Sequence, residues 1–167
     1  MPIECSFNYS NDPQKIYRAE VEFITKDEWL QELECLHSDL TEEDGQLSKE
    51  YSSPDSIAGT AYAKIAAVYP GLTAPLLART EPRTLLDGEQ VREVLGSVKH
   101  IHAQTAVSLF EQVQPFVDSV EKSHRNNTMA YWPLLKVVRL FTKAEALSTG
   151  AIIVDLVGSF FLFFETL

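Results

Sequence analysis

The sequence predicts an α/β fold in which a long helical insertion separates one early strand from two late ones. Three observations predict it. Residues 15–24, KIYRAEVEFI, alternate apolar and polar positions. The middle of the chain places apolar residues at helical spacing. The runs 134–142 and 151–156 then return to strand-like composition.

In the first strand Tyr17, Ala19, Val21 and Phe23 share one face, and Arg18, Glu20 and Glu22 share the other, the pattern of a half-buried strand. TKDE, residues 25–28, is a capping box: the Thr25 hydroxyl accepts from the third helical N–H while Glu28 reaches back. Trp29, Leu33, Leu36 and Leu40 follow at spacings of four, three and four, an amphipathic helix. Residues 41–56 form an acidic loop in which Ser53 caps and Pro54 opens the next helix. Ile57, Ala61, Ile65 and Val68 make that helix's buried stripe, its alanines point to a close helix contact, and Pro70-Gly71 stops it.

A short helix is expected from Asp87 to Leu95, a brief strand at 99–103, and a helix carrying Val107, Phe110, Val113 and Val117, which Pro115 kinks or splits. KSHRNNT, 122–128, is a polar loop. Beyond Trp132-Pro133, LLKVVRLFT alternates around Lys136 and Arg139, AEALSTG is rich in turn residues, and AIIVDL is a continuous apolar run ending in a carboxylate. Such a run belongs to a strand buried on both faces.

A chain of 167 residues suits one domain, and 45% hydrophobic residues suffice for a core. The net charge of −10, from 24 acidic and 14 basic residues, argues against general affinity for nucleic acid and for anionic membranes. Cys5 and Cys35 match no zinc or redox spacing. They are expected to be reduced thiols of an intracellular protein, and MPIECSFNYSNDP shows no secretory signal. His100 and His102 would share a strand face, as metal ligands can, but no third ligand is evident and His37 and His124 lie on unrelated segments. Exposed histidines are the plainer reading. No serine sits in G-x-S-x-G. The acids at 20, 22, 27 and 28 suit a solvated strand face and a helix N-terminus, and no catalytic pair stands out.

The last stretch, STGAIIVDLVGSFFLFFETL, raises two readings. A membrane span needs about twenty apolar residues. The run 151–164 is only 14 residues long and includes Asp155 and Gly158-Ser159, so no span is expected. Asp155-Leu156-Val157-Gly158 also has the D-x-x-G layout of GTP-binding domains. There the carboxylate at the end of a strand holds magnesium through a water, and the glycine N–H approaches the terminal phosphate.

The segment WPLLKVVRLFTKAEALSTGAIIVDLVG resembles the region before and through D-x-x-G in dynamin-like large GTPases of the nuclear GTPase type. The likeness extends back through YPGLTAPLLAR, LLDGEQVREVLG and AEVEFITKDEWLQELECL, covering about 4–158. It implies a partial P-loop GTPase-like sheet with strands near 15–24, 134–142 and 151–156 and a helical insertion over about 25–121. Asp155 would then contact magnesium through water, Asp155 and Gly158 would face nucleotide, and the location would be nuclear or cytoplasmic. In that arrangement the strand ending at Asp155 lies beside its antiparallel neighbour at 135–142.

The departures carry as much weight. No G-x-x-x-x-G-K-[ST] occurs; Gly96-Ser97-Val98-Lys99 lacks the glycine loop. The guanine-reading N/T-K-x-D is missing, Val157 replaces the family's proline, and residues 159–167 do not resemble its continuation. The expectation is therefore a G-domain-related piece over 1–158 with a divergent hydrophobic tail, a pseudoenzyme without GTP hydrolysis of its own and without a cofactor. The alternative is a noncatalytic helical interaction module. In that reading, amphipathic helices and the phenylalanines at 160, 161, 163 and 164 bind a protein partner or a second copy. The tail's plainest role is hydrophobic cover for an exposed strand edge.

Overall fold

The structure, a computed structural model, describes residues 1–118 and 128–155. It is α/β. Its five strands are β1 (Ile3–Phe7), β2 (Tyr17–Phe23), β3 (Val98–Ala103), β4 (Leu135–Thr142) and β5 (Ile153–Asp155), in the order β3-β2-β4-β1-β5. β1 runs parallel to β4, and every other pairing is antiparallel. The helices are α1 (Lys26–Leu40), α2 (Ile57–Val68), the single turns α3 (Ala74–Leu77) and α4 (Pro82–Leu85), α5 (Glu89–Val94) and α6 (Ala106–Val117).

Register sorts the strand residues onto two faces, because directly opposed residues project the same way. One row reads Ile101, Ala19, Leu140, Cys5, Ile153, and beside it runs Lys99, Val21, Val138, Ile3, Asp155. α6 packs on this apolar face, over β2 and β3. The opposite face carries His100, Glu20, Arg139, Glu4 and Val154, then His102, Arg18, Phe141 and Ser6. The alternation of residues 17–23 foretold this division.

α1 forms as its sequence dictates. Thr25 Oγ1 accepts from Glu28 N at 3.2 Å, and the Glu28 carboxylate accepts from Thr25 N at 2.7 Å. Trp29, Leu33, Leu36 and Leu40 are all buried and pack against α2, whose alanines permit the close approach. This helical unit is tied to the sheet beyond the end of β2, where Ile24 N donates to the Leu134 carbonyl and Gly96 N to that of Ile24.

The capping carboxylate predicts an acid response. Glu28 is lowered from 4.5 to about 2, first by the Thr25 backbone hydrogen bond, then by the Thr25 hydroxyl and Lys136. A carboxyl held below its unfolded value stabilises the fold above that unfolded value and loses this contribution as pH falls toward 2. Melting temperatures followed from pH 6 to 2 should fall more steeply for the native protein than for Glu28→Gln. Parallel curves would show that the cap contributes nothing.

Several local expectations are corrected. The cap of α2 is Ser56, whose Oγ accepts from Gly59 N at 2.9 Å, while Ser53 and Pro54 lie in the preceding turn. Gly59 is required there, since a Cβ would stand 1.8 Å from the Ser53 carbonyl oxygen. Starting the helix at Ile57 turns that residue outward (73% exposed) and buries Ala58, Ala66 and Ala67 beside Ala61, Ile65 and Val68. In α6 the buried positions are Leu109 and Val113, whereas Val107 and Phe110 are exposed. Pro115 does not split α6, which continues to Val117; with only two helical residues beyond it, the proline disturbs one carbonyl of the preceding turn and leaves the rest of the helix intact. The brief strand expected at 99–103 is present as β3, which lies within the insertion as the second neighbour of β2.

The larger correction concerns the C-terminal strand. β5 pairs with β1 rather than with β4, because β4 already has β2 on one edge and β1 on the other. Ile3, Cys5 and Phe7 alternate too, but no strand was expected there. β5 is also not buried on both faces: Ile152, Ile153 and Val154 are 60%, 62% and 47% exposed. It is one of the two edge strands, and α6 packs toward the other edge, over β2 and β3. Gly158 and the phenylalanine-rich tail lie outside the described residues.

Candidate functional site

Asp155 ends β5, opposite Ile3 in the antiparallel register and in the same row as Val138 and Val21. It is exposed, and the strand brings apolar neighbours rather than further carboxylates to its face. Gly158, the other half of the motif, cannot be set against it. Among the described residues no group of three His, Cys, Asp or Glu side chains could hold a metal ion. Among the described residues, the neighbours that the register sets beside Asp155 are Ile3, Val138 and Val21, which offer a metal no ligand. One strand-end carboxylate offers a single contact, whereas phosphate-binding sites surround their ligand with amide N–H groups.

The histidines fall as the plainer reading has them. His100 and His102 lie on β3 at the sheet edge, and both are exposed. His100 Nδ1 stands 3.7 Å from Glu20, and His102 is opposite Arg18. His37 lies 3.1 Å from the Ala78 carbonyl through Nε2, a contact between α1 and the turn after α3. His124 is outside the described residues. Cys5 and Cys35 are free thiols, and half-burial pushes Cys5 up.

The charged face of the sheet is organised around Arg139. Its Nη1 donates to Glu22 at 2.6 Å and its Nε to Glu4 at 3.1 Å, so one guanidinium bridges β2, β4 and β1. The Glu22 hydrogen bond is the main cause raising Arg139. Lys136 continues the network to Glu28 at 3.2 Å and Glu22 at 3.9 Å. Glu4, Glu22 and Glu28 each have a cationic partner in this network, which stitches the strands together.

On the other face a cavity of about 100 Å³ lies between α6 and the sheet, lined by Ile3, Leu109, Val113, Val138 and Leu140 with the Cys5 thiol. Its size suits one side chain or a small hydrocarbon, and its lining offers a phosphate almost no donors. At the opposite end of β5 from Asp155, a wider cleft of about 540 Å³ is bordered by Arg18, Ser6, Tyr9, Ser10 and Gly150. Sequence reasoning passed over this cleft, treating Arg18 as one charge on a solvated face. The cluster NYSND at 8–12, dense in turn-forming and hydroxyl groups just before Pro13, was the available signal.

No family model and no curated protein matches this chain.

Proposed function

We propose that this chain is a noncatalytic relative of dynamin-like G domains. In this reading it keeps the strand-end aspartate of a GTP-binding fold and performs no GTP hydrolysis. What supports the reading is the sequence likeness that leads up to Asp155, together with that residue's place at the end of a strand in a mixed α/β sheet. The sequence before it supplies the family likeness. What removes catalysis is chemical: these residues encode no lysine-bearing glycine loop, and phosphoryl transfer depends on such a loop to hold the phosphates in line. GTP and magnesium are the family's ligands, and no step is assigned to them here.

A second reading is favoured by the exposure of β5, which has β1 as its one partner among the described strands. Ile152, Ile153 and Val154 form an exposed apolar strip, the kind of edge to which another chain adds a strand. An interaction module would use that edge rather than the apolar stripes of α1 and α2, which are consumed by the core. Among the described residues no helix is long and apolar enough to cross a membrane.

Phosphate release from GTP and magnesium tests the first reading. The expected rate is that of buffer alone. Protein-dependent release that disappears in Asp155→Ala would overturn it.

A further inference from the structure

We propose that the cleft beside Arg18 binds a small oxyanion of the phosphate type. The guanidinium carbon of Arg18 sits 4.5 Å above the Phe141 ring centroid, a stacking that fixes the plane of the group and leaves its edge to ligands. Arg18 Nε is buried without a hydrogen-bond partner among the described residues. Arg139, one row away, has both its flanks taken by Glu22 and Glu4. Since Nε is closed to solvent, it is the two terminal Nη groups of Arg18, unpaired among the described residues, that are left to meet two oxygens of one anion in the cleft.

The rest of the cleft is built to hold those oxygens. Asn8 is fully buried, and its side chain fixes the 8–16 loop by donating to the Lys15 and Ile16 carbonyls and accepting from Ser10 N. Ser10 Oγ accepts from Asp12 N at 3.3 Å, which leaves its O–H to donate. Ser6 and Tyr9 bring two further hydroxyls to the cleft. Tyr9 is held edge-on to Phe7 at 5.0 Å, and Lys143 lies 5.4 Å from the Phe7 ring centroid, adding positive potential on that side. The nearby Asp12 carboxylate is engaged by Lys15 at 3.6 Å. A cleft that sets Arg18 and three hydroxyl side chains among Phe7, Phe141, Ala151 and Ile152, on a chain of net charge −10, selects by local hydrogen bonding, since the long-range field opposes anions.

This site is separate from Asp155 and does not depend on the GTPase reading. Titration of inorganic phosphate into isotopically labelled full chain, at constant ionic strength against sodium chloride, tests it. Saturable amide shifts are expected at Ser6, Tyr9, Ser10 and Gly150. Arg18→Lys, which keeps the charge and loses the fork, should weaken binding about tenfold, and Arg18→Gln should abolish it. Should Arg18→Gln fail to fold, Arg18→Lys carries the comparison. A parallel acetate titration distinguishes a carboxylate ligand from a phosphate: saturation by either with the same Arg18 dependence supports the site, and the tighter one names its class. Shifts no different from those in chloride, or binding unchanged in both variants, would overturn it.

Discussion

Trp29→Ala is expected to cost about 3–5 kcal/mol of stability, the range for deleting a large buried aromatic side chain. Trp29 is 0% exposed and opens the buried stripe of α1. Its indole N–H donates to the Tyr69 hydroxyl at 3.0 Å, across the junction between α1 and the end of α2. Burial is the main cause pushing Tyr69 up to about 12, so that hydroxyl stays neutral and able to accept throughout the ordinary pH range. The truncation therefore opens a cavity and removes the partner of a half-buried hydroxyl together. Tyr69→Phe removes only the acceptor and should cost about 1 kcal/mol. Urea denaturation followed by circular dichroism measures both. Domains of this size are typically stable by only about 5–15 kcal/mol, so the tryptophan variant should unfold at much lower urea. A loss below about 1 kcal/mol would show that the helical unit does not rest on this residue.

The second large effect is expected at Asn8, the fully buried polar side chain of the described core. Its Nδ2 donates to the Lys15 carbonyl at 2.6 Å and the Ile16 carbonyl at 2.8 Å, and its Oδ1 accepts from Ser10 N at 3.0 Å. Its own N–H donates to the Thr142 carbonyl, extending the ladder between β1 and β4 by one bond. Asn8→Ala leaves three backbone groups without partners and should cost roughly 3 kcal/mol, given about 1–3 for each and incomplete additivity. Asn8→Asp keeps the shape but places a carboxyl against two carbonyl oxygens. Burial and that repulsion raise its folded pKa above the unfolded value. Such a group weakens the fold increasingly as pH climbs from the unfolded toward the folded pKa. Asn8→Asp should therefore melt closest to the native protein near pH 4 and fall behind toward pH 8. An unchanged gap across that range would contradict the burial argument.

Much of this fold was legible wherever pattern and local chemistry agreed. The 17–23 strand, the Thr25–Glu28 box and the Trp29–Leu40 stripe each combine a period with a cap or an alternation, so little tertiary information was needed. α2 was harder. Its alanine-rich face supports more than one stripe, and two serines compete to cap it; the turn that carries Ser53 O against Gly59 decides between them. β1 is five residues long with one fully buried side chain, too little for its alternation to stand out. Missing it displaced β5 onto the wrong neighbour, because sheet order is set by which edges remain free and not by any one segment. The same limit applies to the site. Asp155 could be named from D-x-x-G, but its surroundings depend on pairing with Ile3. The Arg18 cleft gathers residues 6–10, 18, 141 and 150–152, a juxtaposition that no spacing along the chain announces.

Titration calorimetry of the full chain with GTP and magnesium bears most directly on the proposed role. The expected result is no saturable heat in the micromolar range, because these residues encode no glycine loop whose amides and lysine would hold a triphosphate. Stoichiometric micromolar binding that is lost in Asp155→Ala would contradict it.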